Sequence, residues 1–125
     1  MSEITPYICV PDSRAAVRWY CDVLGAQVSV DPIVMDDGRV GHVELSVGGA
    51  RLMMSDAFEE AGVAPPDPHR GAAVSLHLDV EDVDAVVARA AAAGARVDRA
   101  PEDTPHGRLA VLRDPSGHRW FLNQG

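Results

Sequence analysis

The chain contains one pattern of residues twice, and this internal repeat restricts the fold more than any other feature of the sequence. Several positions recur at an offset that falls from about 70 to about 68 residues. The matching pairs are Val10 with Val80, Asp12 with Asp82, Gly25 with Gly94, Arg39 with Arg108, and Gly49 with Gly117. A solenoid repeat is shorter than this offset, so the sequence predicts two copies of one supersecondary module.

Each copy combines one helix pattern with four strand patterns. In the first copy, Asp12 caps a helix that Gly25 ends, and strands are predicted at residues 4–10, 27–34, 40–47 and 51–55. In the second copy, Asp82 and Gly94 bound the helix, and strands are predicted at residues 74–80, 96–99, 109–113 and 119–123. The chain is therefore predicted to be one α+β domain of two tandem βαβββ modules. The modules span about residues 1–56 and 73–125, with a proline-rich linker at 57–72.

In each predicted sheet, apolar residues alternate with polar ones. Val43, Leu45 and Val47 fall on one face of their strand, while His42 and Glu44 fall on the other. The apolar face suits packing under the helix, so two such sheets can form a paired concave surface between their polar faces. This arrangement provides a ligand site without specifying the ligand.

Composition excludes several classes of function. The net charge of −8 argues against a nucleic-acid-binding surface, and it disfavours contact with anionic membranes. No apolar stretch approaches the roughly 20 residues that span a bilayer. Residues 1–13 lack the pattern of a signal peptide. The two cysteines, Cys9 and Cys21, form no disulfide framework, so we expect a cytoplasmic protein with reduced thiols.

Four segments, in order, resemble the glyoxalase/bleomycin resistance/dioxygenase (vicinal oxygen chelate) superfamily. They are ITPYICVPDSRAAVRWYCDVLGA, GHVELSVGGARLMMSD, VSLHLDVEDVDAVVARAAAAGARV and LRDPSGHRWFL. The third and the last are most similar to the PhnB-like branch. The resemblance covers nearly the whole chain and implies the glyoxalase/bleomycin resistance fold. It also implies a homodimer, sometimes formed by exchange of modules.

Metal-dependent members of this superfamily take their ligands from the first and fourth strands of each module. The resemblance places those ligand positions at Thr5, Met53, Ser75 and Phe121. Neither a thioether nor a phenyl ring suits a catalytic divalent cation, which prefers imidazole and carboxylate ligands. We therefore expect no metal and no other cofactor at the usual site.

The remaining candidates are polar and apolar residues predicted to line the concave face. The candidate ligand-binding residues are Tyr7, His42, Glu44, Met53, Ser75, His77, Arg113 and Phe121. Tyr7, Met53 and Phe121 offer apolar or stacking contacts. Arg113 matches Glu44 in the repeat, so the two are expected to face each other across the cavity.

The polar members of this set have two interpretations. His42, Glu44, His77 and Asp79 form either a displaced metal site or a hydrogen-bonded polar wall. Glu44 and His77 could also act as an acid–base pair in a metal-free reaction.

These features lead to one functional hypothesis with two alternatives. The first is a metal-independent small-molecule binding protein of the bleomycin-resistance type, which sequesters a drug or a toxic metabolite. The second is an enzyme, a lyase, isomerase or dioxygenase, that uses a displaced metal site or acid–base chemistry. The third is an accessory domain that binds a protein partner. The fold by itself does not choose among them.

Overall fold

The computed structural model describes residues 2–125, which divide into two compact units, residues 2–65 and residues 66–125. The elements of the first unit are β1 (Tyr7–Cys9), α1 (Ser13–Leu24), β2 (Gln27–Val34), β3 (Val40–Val47) and β4 (Ala50–Ser55). Its four strands form one sheet in the order β1-β4-β3-β2. Strand β1 runs parallel to β4, and the other neighbours are antiparallel.

The second unit repeats this arrangement. Its elements are β5 (Ser75–Asp79), α2 (Val83–Ala92), β6 (Arg96–Thr104), β7 (Gly107–Arg113) and β8 (Arg119–Gln124), and its sheet has the order β5-β8-β7-β6. Strand β5 again pairs in parallel with the last strand of its unit. The predicted α+β class and the two βαβββ modules are confirmed.

Both helices begin at the predicted aspartates. Asp12 accepts a hydrogen bond from the backbone N–H of Ala15, and Asp82 does the same for Ala85. Gly25 ends α1 with a φ of 68°, a left-handed conformation that glycine adopts without strain. Helical spacing in the sequence predicts a buried face of Ala16, Val17, Tyr20 and Leu24. In the structure Ala16 and Tyr20 are buried with Trp19 and Val23, whereas Val17 and Leu24 are only half-buried.

Three segments differ from their predicted form. Strand β1 is shorter than residues 4–10, whereas β6 continues past residue 99 to Thr104. The acidic residues and the proline in β6 concealed its length, since those residue types are depleted in strands. The predicted linker contains a short 3-10 helix, Glu59–Ala61, enclosed by a β-bridge between Phe58 and Val63.

A side-chain acceptor ties the start of each helix to the end of its sheet. In the first unit, the Asp56 carboxylate accepts hydrogen bonds from the backbone N–H groups of Ser13 (2.8 Å) and Val40 (2.7 Å). In the second unit, the Gln124 side-chain oxygen accepts one from the backbone N–H of Val83 (2.9 Å). In both units, a side chain at the end of the sheet accepts from a backbone N–H at the start of the helix, where no partner exists within the helix. The acceptor is charged in the first unit and neutral in the second.

None of the helices within residues 2–125 has the length and apolar character that a membrane span requires.

Candidate functional site

The first unit contains an open cavity of about 550 Å³, a volume suited to a small organic molecule. Six apolar side chains form most of its lining: Ile8, Ile33, Met35, Phe58, Ala61 and Val63. Polar groups enter the lining mainly from Tyr7 and His42. The cavity is therefore an apolar chamber with one polar wall.

The segment Phe58–Val63 forms part of this lining because it folds back on itself. The backbone of Phe58 both donates a hydrogen bond to Val63 (2.9 Å) and accepts one from it (3.0 Å). The Arg39 guanidinium holds the segment through two hydrogen bonds to the Glu60 carboxylate, at 3.1 and 2.7 Å. Its central carbon also lies 4.0 Å from the centre of the Phe58 ring. One arginine thus fastens the loop that encloses the cavity.

Three side chains form the polar wall, one from β1 and two from β3 on the other side of β4, and hydrogen bonds join them in a row. The Tyr7 hydroxyl lies 2.7 Å from Nδ1 of His42, and Nε2 of His42 lies 2.8 Å from Oε2 of Glu44. Because a carboxylate only accepts hydrogen bonds, Nε2 carries the imidazole proton in this arrangement. Nδ1 is then an acceptor, so the Tyr7 hydroxyl donates to it.

The surroundings of the row favour a protonated phenol at Tyr7. The pKa of Tyr7 is raised by partial burial and by the nearby negative charge of Glu44, so the phenol keeps its proton. The Arg51 guanidinium lies 3.6 Å from the second carboxylate oxygen of Glu44. The Glu44 side chain is only 14% exposed and the His42 side chain 24% exposed, so water screens their interaction less than at an open surface.

Four of the residues predicted from the sequence therefore share one face of the first sheet. Met53 pairs in register with Tyr7 on one side and with Glu44 on the other, and His42 lies two residues along the strand from Glu44. The structure brings together Tyr7, His42, Glu44 and Met53, and of these Tyr7 and His42 line the cavity.

The predicted residues of the second unit form a separate group on its own sheet. His77 pairs in register with Phe121, and the centres of their rings are 5.5 Å apart. Nε2 of His77 lies 3.8 Å from the Asp79 carboxylate, and both side chains are more than half exposed. Their role in ligand binding stays a prediction.

Arg113 is placed differently from its predicted position in the repeat. Strand register pairs Arg113 with Arg119, as it pairs Ser46 with Arg51, so Arg113 corresponds to Ser46 and not to Glu44. The prediction carried the offset between Arg39 and Arg108 into the strand, whereas strand register matches Arg113 to the residue two positions after Glu44.

The side chain of Arg113 is buried, with a relative exposure of 5%. It donates hydrogen bonds to the backbone carbonyls of Gly117 (2.9 Å) and Arg70 (2.6 Å). These contacts attach the segment before β5 to the last turn of the second unit.

The positions that the resemblance assigns to metal ligands do not fit a metal ion. Arg51 donates a hydrogen bond to the Thr5 hydroxyl (3.4 Å), and Arg119 donates one to the Ser75 hydroxyl (2.7 Å). Each of these two hydroxyl oxygens is therefore beside a cation, and the fourth-strand positions, Met53 and Phe121, hold a thioether and a phenyl ring. Within residues 2–125, no three histidine, cysteine or carboxylate side chains lie close enough together to hold a metal.

Several lining residues were absent from the sequence prediction. Ile33 lies near the end of β2, whose apolar residues did not alternate clearly, and Met35 follows that strand directly. Phe58 lies in the predicted linker. The sequence did contain a signal for Phe58, because a phenylalanine is unusual in an exposed, proline-rich connection and suggests a buried contact.

Comparisons with known proteins agree with this architecture. Residues 3–122 match the family described as the Glyoxalase/Bleomycin resistance protein/Dioxygenase superfamily. The protein Mb0911c of Mycobacterium bovis is 34% identical over an alignment of 125 positions, which covers 97% of this chain and 82% of that protein.

Two solved structures extend the comparison. TioX from Micromonospora sp. ML1 is 27% identical, with a TM-score of 0.73 and coverage of 99% of this chain and 98% of TioX. The PhnB protein from Bacillus cereus has a TM-score of 0.76 with coverage of 99% and 100%. Its 19% identity shows a shared fold.

Proposed function

Because the chain belongs to the glyoxalase/bleomycin resistance protein/dioxygenase superfamily, we propose that it is a metal-independent small-molecule binding protein. It sequesters an antibiotic or other drug, or a toxic metabolite, in the cavity of its first unit. Sequestration needs a preformed concave site with apolar walls and a few oriented polar groups.

The observation that carries this proposal is the cavity itself. A volume of about 550 Å³ lies within the range of small-molecule sites, and its lining is mostly apolar. The Arg39–Glu60 contacts order the Phe58–Val63 loop before any ligand arrives, so less conformational entropy is lost on binding. The Tyr7–His42 pair supplies orientation at one wall.

A second observation supports the metal-independent part of the proposal. The oxygen atoms at Thr5 and Ser75 each accept a hydrogen bond from an arginine. A guanidinium cation at that distance repels a divalent cation, and the remaining two positions offer no hard donor. The residues of this chain are therefore better suited to holding a ligand than to holding the superfamily's metal.

The experiment is a thermal-shift and calorimetric screen of apolar, drug-sized compounds, repeated on a variant with a smaller cavity. In Ala61→Leu, the larger side chain occupies part of the cavity, and we expect it to weaken binding of every hit by at least about tenfold, or about 1.4 kcal/mol. Ala15→Leu, on the exposed side of α1, is the matched control and should bind as the wild type does. Equal weakening by both variants, or by neither, would contradict the assignment of the cavity.

The alternative function, an enzyme, is favoured by one observation. Glu44 and His42 are hydrogen-bonded at 2.8 Å beside the cavity, which is the arrangement of an acid–base pair. His42 thus takes the place beside Glu44 that the sequence had suggested for His77. An enzyme built on this pair turns over substrate after exhaustive treatment with a chelator, whereas a displaced metal site loses its activity under that treatment.

We further propose that the chain forms a homodimer in the cytoplasm. The proposal rests on the superfamily resemblance and on the cysteine content of the chain, because two cysteines without C-x-x-C spacing make no disulfide framework. Sedimentation velocity under reducing conditions tests the dimer, and a single monomeric species at micromolar concentration would contradict it.

A further inference from the structure

The row Tyr7–His42–Glu44 has no counterpart in the second unit, although the rest of the fold is repeated. Strand register places Leu109 and Val111 where the first unit has His42 and Glu44. A feature that maintained the common fold would be expected in both copies. The row is therefore particular to the unit that contains the cavity.

The hydrogens of the row all point in one direction, from Tyr7 towards Glu44. Glu44 accepts from Nε2 of His42, and Nδ1 of His42 accepts from the Tyr7 hydroxyl. The other acceptor near this hydroxyl is the backbone carbonyl of Gly41, at 3.2 Å. With either partner the Tyr7 proton is already donated, so its oxygen faces a ligand as an acceptor.

This direction determines which ligand group the wall recognises. A ligand hydroxyl that donates to the Tyr7 oxygen completes the row, whereas a ligand that only accepts finds no free proton there. A carboxylic acid would arrive ionised and would bring its negative charge close to Glu44, with Arg51 on the far side of that carboxylate. A weakly acidic hydroxyl arrives neutral, and an aromatic ring suits the apolar walls.

We propose that the cavity binds aromatic molecules bearing a weakly acidic hydroxyl, and that the Tyr7–His42–Glu44 row takes up the proton of that hydroxyl. The ligand O–H bond breaks and its proton passes to the Tyr7 oxygen, while the Tyr7 proton passes to Nδ1 of His42. The products are a bound phenolate, a neutral Tyr7 and an imidazolium paired with the Glu44 carboxylate. One proton moves from ligand to His42, and no other bond changes.

The charged and titratable groups around His42 favour this transfer. Glu44 on the same strand stabilises the imidazolium directly, Tyr7 on β1 relays the proton, and Arg51 on β4 contacts Glu44 on its far side. Strand β2 places Ile33 in register with His42 and carries one titratable residue, Asp31, two positions earlier. The Glu44 carboxylate contacts His42, so the imidazolium gains an anionic partner.

The inference rests on the proposed binding function. Two matched ligands test the proton uptake and the binding function separately. 4-Nitrophenol carries the acidic hydroxyl, and 4-nitroanisole has a methyl group in place of its proton. We expect the wild-type protein to bind 4-nitrophenol at least about tenfold more tightly than 4-nitroanisole in calorimetry. The bound 4-nitrophenol should show the visible absorbance of the phenolate at a pH where the free ligand is mostly protonated.

Three variants assign the proton acceptor. Tyr7→Phe and His42→Gln should each abolish the phenolate absorbance and the preference for 4-nitrophenol, while 4-nitroanisole binds as before. His106→Gln, in an exposed turn of the second unit, is the matched control and should leave both unchanged.

The outcomes that contradict the inference are distinct from those that contradict the binding function. Equal binding of both ligands without phenolate absorbance overturns the proton uptake and leaves the binding function standing. Phenolate absorbance that persists in Tyr7→Phe and in His42→Gln also overturns it, because another group then holds the proton. Failure of both ligands to bind contradicts the binding function as well, since the cavity then accepts no aromatic ring.

Discussion

The contact of Asp56 with the start of α1 and of β3 allows a quantitative test of how the first unit is held together. Its carboxylate accepts two backbone hydrogen bonds, from Ser13 and Val40, and both of those residues are at most 1% exposed. Water therefore cannot replace the acceptor when it is removed. The adjacent residues Ser55 and Gly41 line the cavity, so the same contact also positions the candidate site.

The magnitude follows from the number and charge of these bonds. A hydrogen bond to a charged group contributes about 1.5–3 kcal/mol, so Asp56→Ala should reduce the free energy of unfolding by about 3–6 kcal/mol. Asp56→Asn keeps one acceptor oxygen but points its amide at the other N–H, and should cost about 1.5–3 kcal/mol. Gln124→Ala, at the corresponding place in the second unit, removes one neutral bond and should cost about 1 kcal/mol.

The effect at Asp56 should also depend on pH. Partial burial acts to raise the pKa of Asp56, but hydrogen bonds from Val40 and Ser13, with the charge of Arg14, outweigh it and hold the pKa below its usual value. A carboxyl group with a lowered pKa stabilises the folded state above the pKa of the unfolded chain, about 3.9 for aspartate. That stabilisation is lost as the pH falls through the lower, folded-state pKa. The difference in the free energy of unfolding between the wild type and Asp56→Asn should therefore be constant near neutral pH and shrink below about pH 4.

Urea unfolding followed by circular dichroism measures these differences, at pH 7 and at several points below pH 4. The neutral variant Gln124→Ala is the internal control, because its cost should not vary over that range. The reasoning is refuted if Asp56→Asn costs no more than Gln124→Ala at pH 7. It is also refuted if the cost of Asp56→Asn does not fall when the carboxyl is protonated.

Three further changes have defined outcomes. Arg39→Lys keeps the charge but loses the paired hydrogen bonds to Glu60, so amide hydrogen exchange in that loop should quicken about two- to fivefold, as expected for an exposed ion pair. Gly107→Ala places a Cβ 2.5 Å from a carbonyl oxygen of β8 at a φ of 120°, and should lower Tm by about 3–10 °C, whereas Gly71→Ala has open space and should not. Asp114→Asn weakens a buried carboxylate that accepts two backbone N–H groups and an indole N–H, and should cost at least about 1.5–3 kcal/mol in urea unfolding.

Much of the fold could be predicted because its signals are local. The aspartate caps of both helices, the glycine that ends α1 and the alternation in β3 each depend on a few neighbouring residues. Because the module is duplicated, the same helix and strand patterns occur twice in the sequence, and the second copy supports the prediction made from the first. The superfamily resemblance, now supported by the match over residues 3–122, followed from these motifs in their order.

The candidate site could be predicted only in part. Alternation placed Tyr7, His42 and Glu44 on one face, but it carried no information on which of them would form hydrogen bonds. Strand register and side-chain rotamers determine the hydrogen-bond partner of Glu44. That partner is His42, which lies on the same strand.

The tertiary structure decided the rest, because those features depend on contacts between distant parts of the chain. The Phe58–Val63 loop is closed by its own backbone bridge and by Arg39, from the turn before β3, which meets Glu60 at a separation of 21 residues. Strand register set the place of Arg113, whose guanidinium donates to a carbonyl of its own turn. The sequence by itself determined the two modules and the residues available to a site. Which of those residues meet was determined by loop closure and strand register, and neither leaves a periodic signal in the sequence.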